Sequence, residues 1–196
     1  RHADSLKEDP FEGTKMRFLL ENPPFGTPWA GKDAKTGQED AVRAEYAKGL
    51  KGRWGAGLPG GGDAQLLFVQ SAVAKMDDEC GRAAIIENGS PLFTGGTSSG
   101  ESQIRRWLLE NDLIEAIVQM PTDLFYNTGI ATYIWILSKN KRPEREGKIQ
   151  LIDASGICHK LRKPLGNKKN EFSPEDRATI TKLYADFEEN EYVKIY

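Results

Sequence analysis

Cysteine and histidine are scarce in this sequence, and it has no long apolar run. Two cysteines, Cys80 and Cys158, are too few for a disulfide framework, so we expect a reducing compartment and a cytoplasmic protein. Since there are only two histidines, a zinc site of the Cys/His type is not expected, and no metal is predicted. No run approaches the roughly 18 apolar residues that a membrane span needs. The sequence therefore predicts no membrane contact.

The overall composition is that of a globular chain. Of its 196 residues, 38% are hydrophobic and 29% are charged, with a formal net charge of -2. This balance excludes a histone-like polycation, but charge is uneven along the chain. Residues 139–169 hold ten Lys/Arg and three Asp/Glu, whereas residues 171–196 hold seven acids and three bases. Either these are ordinary solvated surfaces, or a basic edge meets nucleic acid beside an acidic helix that meets protein.

Apolar periodicity predicts alternating strands and helices, which indicates an α/β fold with a largely parallel sheet. A helix should begin with Asp63 as its N-cap, and another should begin after Ser173. About a dozen residues without a helical pattern join the strands at 113–120 and 132–137, so this last pair should be antiparallel in a mixed sheet. The remaining predicted elements are strands at 16–20, 82–86 and 149–152 and a helix around Ile104.

Residues 27–62 have many glycines and no sustained apolar period. They predict a long flexible loop with one helical segment near 39–51. Because its lysines and arginines can meet phosphates, we expect the loop to become ordered on binding a nucleic acid such as DNA. Trp29 and Trp54 are candidate anchors for the ordered form, with ordinary core contacts as the alternative.

The most informative motif is Asn22-Pro23-Pro24-Phe25, at the carboxyl end of the first strand. Ligand crevices of open α/β sheets lie at that edge. The Asn22 side-chain oxygen and the Pro23 carbonyl can accept both N–H bonds of an exocyclic amino group and direct its lone pair at an electrophile. Pro24 restricts the backbone, and Phe25 offers a face for an extruded base. A proline-rich strand end with a core phenylalanine explains the same residues equally well.

This tetrad resembles the catalytic motif of amino-group DNA methyltransferases, and the chain resembles the modification (methylation) subunit of type I restriction–modification systems. The resemblance covers most of residues 1–155. The sequence departs from the family pattern at Glu87, where the family would have a proline. The resemblance is carried further by Asp63–Met76, Gly81–Ile86, Asn88-Gly89, Leu92-Phe93, Ile104–Leu109, Leu113–Val118 and Leu124–Ile130.

The resemblance implies the carboxyl-proximal part of a Rossmann-like methyltransferase that uses S-adenosylmethionine. Asp4 and Ser5 would then bind this cofactor, and Phe125 and Tyr126 would form a wall for the target base. The cofactor's glycine-rich loop is expected upstream, because no strand–Gly-x-Gly–helix pattern occurs here. The chain would divide into a partial catalytic domain, residues 1–155, and a basic connector with a C-terminal helix, residues 156–196.

The predicted reaction is methylation of adenine N6 in DNA within a restriction system, with a specificity subunit and a restriction subunit as partners. Two enzymatic alternatives are a cytosine-N4 and a protein-glutamine methyltransferase, which use similar tetrads. A non-catalytic fragment or assembly module is the alternative outside the enzymes. Attack on a pyrimidine ring carbon is disfavoured, because neither cysteine follows a proline.

Overall fold

The computed structural model describes residues 2–196, which form a mixed sheet flanked by helices on both faces. The strands are β1 (Phe18–Glu21), β2 (Arg82–Asn88), β3 (Ile114–Gln119), β4 (Thr132–Ser138), β5 (Gln150–Asp153), β6 (His159–Leu165), β7 (Lys168–Glu171) and β8 (Val193–Ile195). The helices are α1 (Gln38–Tyr46), α2 (Gln65–Lys75), α3 (Ser90–Phe93), α4 (Gly100–Glu110) and α5 (Pro174–Asp186). No helix among the described residues is long and apolar enough to cross a membrane.

Six strands form the main sheet, in the order β1-β2-β4-β3-β5-β8. The predicted antiparallel pairing of β3 with β4 is confirmed. The expectation of a largely parallel sheet is wrong, because β4 lies between β2 and β3 and runs antiparallel to both. Among the strands of the described chain, only β1 with β2 and β3 with β5 are parallel neighbours. Even so, β1, β2, β3 and β5 point in one direction, so their carboxyl ends share one edge.

Each face of the sheet buries an apolar cluster. On one face, α2 and α4 cover the centre, with Val69, Ile85, Ile104 and Trp135 in the core. On the other face, α5 covers Val118, Ile152 and Val193. Burying such side chains contributes about 1.5–3 kcal/mol each, so this packing fixes the strands that carry the shared edge.

The helix starts follow local capping chemistry. Ser173 accepts a hydrogen bond from the Asp176 amide, and the Asp176 carboxylate accepts one from the Ser173 amide, a complete capping box. The predicted cap of α2 is shifted by one residue, because Ala64 occupies the N-cap position. Asp63 nevertheless accepts a hydrogen bond from the Gln65 amide, at 3.1 Å, so its carboxylate still satisfies a free donor at this helix start.

The segment 27–62 contains the predicted helix, which is α1. The rest of the segment packs against the core through its tryptophans and is not the extended flexible loop that the sequence predicts. Trp29, Val42 and Trp54 are buried in a second apolar cluster with Leu67 of α2. The Trp54 indole N–H donates to the Leu67 carbonyl at 3.0 Å. The core-contact interpretation of the two tryptophans is therefore correct in this structure, whereas ordering on DNA stays a prediction.

The segment 156–196 contributes more than a connector and a helix. Strands β6 and β7 pair as a separate antiparallel hairpin, and β8 returns to the main sheet beside β5. Since β8 completes the sheet, this segment shares a core with the preceding residues. A domain boundary at residue 155 remains a prediction.

Candidate active site

The candidate site lies at the carboxyl edge shared by β1, β2, β3 and β5. Asn22 follows β1 directly, and Asn88 ends β2 next to it in the parallel pair. The loop 120–131 leaves β3 at the same edge. This is the position at which open α/β sheets bind ligands.

The tetrad Asn22–Phe25 leaves β1 as an ordered turn. Asn22 is exposed, and within residues 2–196 its side-chain amide has no hydrogen-bond partner. The Thr27 hydroxyl donates to the Pro24 carbonyl at 3.3 Å, and the Thr27 carbonyl accepts from the Ala64 amide at 2.9 Å. The turn is thereby tied to the start of α2. The Asn22 oxygen is left available to a ligand on a backbone that two prolines restrict.

Two glutamates, Glu21 and Glu87, adjoin the tetrad at the ends of β1 and β2. Sequence analysis assigned neither of them to the site and named Glu87 only as a departure from the family pattern. Glu87 is fully buried, and neither of its carboxyl oxygens has a hydrogen-bond partner in the described part of the chain. Burial, and then the charges of Asp63 and Glu21, raise the Glu87 pKa well above its ordinary value. Burial also raises the pKa of Glu21 to about 7. The edge thus holds two carboxyl groups that favour the protonated form.

The start of α2 is joined to the end of β2 by Gln65. Its side-chain amide donates to Asp63 at 2.7 Å and to the Asn88 side chain at 3.0 Å, and it accepts from the Asn88 amide at 2.8 Å. Because Gln65 is buried, these bonds fix the end of β2 in relation to the turn that follows the tetrad.

Phe125 and Tyr126 lie at the same edge, on the loop after β3. Tyr126 is 66% exposed, whereas Phe125 is half-buried. In the same loop, a Cβ on Gly129 would lie 2.6 Å from the Asp123 carboxylate, so this close approach requires glycine. No hydrogen bond or ion pair within residues 2–196 joins this loop to the tetrad. Since β2 and β4 separate β1 from β3, the two groups lie roughly 14 Å apart at their strand ends.

Asp4 and Ser5 belong to a turn that packs against the segment 27–62. The Asp4 carboxylate accepts from the Leu6 amide at 3.1 Å and pairs with Lys35 at 3.3 Å, and the Ser5 carbonyl accepts from Arg53 at 2.6 Å. Leu6 is buried beside Trp54. Ser5 also lines a cleft of about 390 Å³ that reaches Glu21 along the open side of β1. Each carboxylate oxygen of Asp4 therefore has a partner within the protein. Of these two residues, only Ser5 lines the cleft beside β1.

The chain matches the family model of the N-6 DNA methylases over residues 1–195. A methylase subunit of the type I restriction enzyme MjaVII from Methanocaldococcus jannaschii is 32% identical over 189 residues, which cover 96% of this chain and 30% of the relative. The HindI methylase subunit of Haemophilus influenzae is 28% identical over 179 residues, which cover 91% of this chain and 35% of the relative.

A solved structure agrees with these sequence matches. The methyltransferase subunit of a type I restriction–modification system from Streptococcus thermophilus superposes with a TM-score of 0.77 and 26% identity, over 98% of this chain and 37% of that chain. The chain thus spans about a third of the length of these relatives. The resemblance to modification subunits of type I systems is confirmed, and the chain belongs to the N-6 DNA methylase family.

Proposed function

We propose that this chain carries the base-activating part of a DNA methyltransferase that modifies adenine N6 within a type I restriction–modification system. The observation that carries the proposal is the exposed Asn22 amide, which has no hydrogen-bond partner within residues 2–196 and lies on a proline-restricted turn at the carboxyl edge of the sheet. Such a placement suits an acceptor that must meet a substrate. Family membership supports the choice of an amino group in DNA as that substrate.

The chain's own groups would act on the target base. The Asn22 side-chain oxygen and the Pro23 carbonyl would accept the two amino N–H bonds, which draws the N6 lone pair out of conjugation with the ring. Pro24 would hold the Pro23 carbonyl in place, and Phe25 would stack on the extruded base. Tyr126, exposed at the same edge, would close a wall of the base site together with Phe125.

S-adenosylmethionine would supply the electrophilic methyl group. The residues present fit part of such a site, because the cleft between Ser5 and Glu21 is open along β1. Asp4 would be free to bind the cofactor only after its ion pair with Lys35 breaks. The relatives are subunits of type I restriction enzymes, which supports a specificity subunit and a restriction subunit as partners. A reducing compartment, the cytoplasm, suits the two free cysteines.

The test is Asn22→Ala in the subunit at the full length of the relatives, assembled with its partner subunits. We expect methyl incorporation into DNA to fall by ~10²–10³, since loss of one preorganised polar group costs about that factor. Phe25→Ala is the companion variant; it should weaken retention of a fluorescent base analogue by ~1–3 kcal/mol, as expected for lost stacking.

Nucleoside analysis of the methylated DNA separates the remaining alternatives. N6-methyladenine in the DNA supports the proposal. N4-methylcytosine would show that the substrate base is cytosine and not adenine. Methyl incorporation into protein instead of DNA would identify the glutamine methyltransferase. No incorporation by the complete assembly would leave the chain as an assembly module.

A further inference from the structure

The β6–β7 hairpin stands apart from the main sheet and is strongly basic. It pairs only with itself among the described strands, and most of its side chains are exposed. Its single acidic residue is Glu171, and its basic residues are Lys160, Arg162, Lys163, Lys168 and Lys169.

Most of this positive charge is not neutralised by the chain itself. Lys169 pairs with Asp123 at 3.7 Å. Over residues 2–196, no carboxylate lies within ion-pair distance of the other four basic side chains of the hairpin. An exposed group of uncompensated cations of this kind attracts a polyanion.

Main-chain hydrogen bonds attach the hairpin to the loop that carries Tyr126. The Asn167 amide donates to the Tyr126 carbonyl at 3.0 Å, and the Lys169 amide donates to the Asp123 carbonyl at 2.9 Å. The Asn170 amide adds a bond to the Asp123 carbonyl at 3.1 Å. The basic surface is therefore held in a fixed position beside an exposed aromatic ring, at the edge that bears Asn22.

We propose that the β6–β7 hairpin binds the phosphate backbone of duplex DNA and so places the duplex next to Tyr126 at the catalytic edge. This inference rests on the proposed function and adds a docking surface to it. Phosphate contacts fix the position of a protein on DNA without reading its sequence, which agrees with lysine and arginine side chains on an exposed hairpin. A membrane or an acidic protein would also attract cations, but neither accounts for the attachment to the loop of Tyr126.

The test compares two double variants in the full-length subunit with its partners. Arg162→Gln/Lys163→Gln removes two hairpin cations. Arg142→Gln/Lys194→Gln removes two exposed cations away from the hairpin, of which Arg142 lies after β4 at the opposite edge. Fluorescence anisotropy measures affinity for a mixed-sequence duplex over a salt series. Each lost phosphate contact should weaken binding on the order of 10-fold at 0.1 M salt and reduce the salt slope by about 0.9.

The inference is supported if only the hairpin variant shows these losses. It is overturned if the hairpin variant binds with the affinity and salt slope of the unaltered protein, or if the control variant loses as much. If the unaltered protein methylates DNA and the hairpin variant binds it normally, the inference fails and the proposed function stands. If the unaltered protein neither binds nor methylates DNA, both fail.

Discussion

At the scale of single residues, Glu87 has an unfavourable environment. Its carboxyl group lies on the core face of β2 with Glu21 and Asp63 as its charged neighbours, and within residues 2–196 it has no hydrogen-bond partner. A buried polar group without a partner costs about 1–3 kcal/mol. The carboxyl group therefore reduces the stability of this region, most strongly when it is ionised.

Replacing Glu87 by glutamine should increase stability at neutral pH. Because the folded-state pKa of Glu87 is raised above the unfolded value near 4.5, its contribution to stability is lost as the pH rises above that value. Glu87→Gln cannot ionise, so its free energy of unfolding should exceed that of the unaltered chain at pH 8 and match it more closely at pH 4. The gain is about 1.4 kcal/mol for each pH unit by which the folded-state pKa of Glu87 exceeds the unfolded value, up to pH 8. Urea denaturation at both pH values measures this.

Glu171→Gln is the matched control, since this glutamate is exposed on β7. If the stability of Glu87→Gln falls between pH 4 and pH 8 by as much as that of the unaltered chain, or by more, the Glu87 carboxylate has a partner in solution.

At the scale of structural elements, the segment 27–62 depends on its second apolar cluster. Trp54→Ala should destabilise the chain by ~3–5 kcal/mol, because a fully buried indole is removed together with its hydrogen bond to Leu67. Tyr46→Ala, in the same segment but 43% exposed, should change the unfolding free energy little. Urea unfolding that distinguishes the two variants by less than 1 kcal/mol would indicate that Trp54 is not buried in solution.

The attachment of the hairpin to the Tyr126 loop can be weakened without changing any charge. Gly166 joins β6 to β7 with φ +60°, and a Cβ there would lie 2.9 Å from the Tyr126 carbonyl oxygen and 3.0 Å from its ring. Gly166→Ala should therefore displace Tyr126. We expect a several-fold loss of methyl transfer with an unchanged salt slope of DNA binding. Gly156→Ala, where a Cβ meets nothing within 4 Å, is the control; equal activity of the two variants would contradict this role of the loop.

Sequence patterns predicted the elements that carry strong local signals. The tetrad does follow a strand, Ser173 does cap a helix, and β3 and β4 are antiparallel. The packing of residues 27–62 could not be predicted, because Trp29 and Trp54 are far apart in sequence and come together only in the folded cluster that includes Leu67 of α2. The burial of Glu87 was missed although it lies on the same face of β2 as Ala83 and Ile85, since a glutamate in such a strand normally faces solvent.

At the scale of the whole molecule, one side of the sheet is open at β1. Phe18 is 64% exposed and Leu20 is 86% exposed on this edge strand. Unpaired edges of this kind are ready to pair with another strand. No strand among residues 2–196 pairs with the outer side of β1, so its backbone donors and acceptors are open to a strand from another segment or another chain.

The 196-residue chain alone should not bind S-adenosylmethionine in the micromolar range. Within residues 2–196, no Gly-x-Gly loop joins a strand to a helix, and Asp4 already pairs with Lys35. The few remaining hydrogen bonds must offset a loss of translational and rotational entropy of ~4–15 kcal/mol. Isothermal titration should detect no saturable heat, and a one-to-one micromolar isotherm would show that the cofactor site is already complete.

The main-chain attachment of the hairpin has a consequence for how this protein can evolve. The backbone amides of Asn167, Lys169 and Asn170 bond to the carbonyls of Asp123 and Tyr126, and these bonds do not depend on the side chains that β6 presents. Mutations at Lys160, Arg162 and Lys163 can therefore alter charge and side-chain length without releasing the loop. Selection can tune the strength of a surface contact at these positions while the geometry of the neighbouring loop is inherited unchanged.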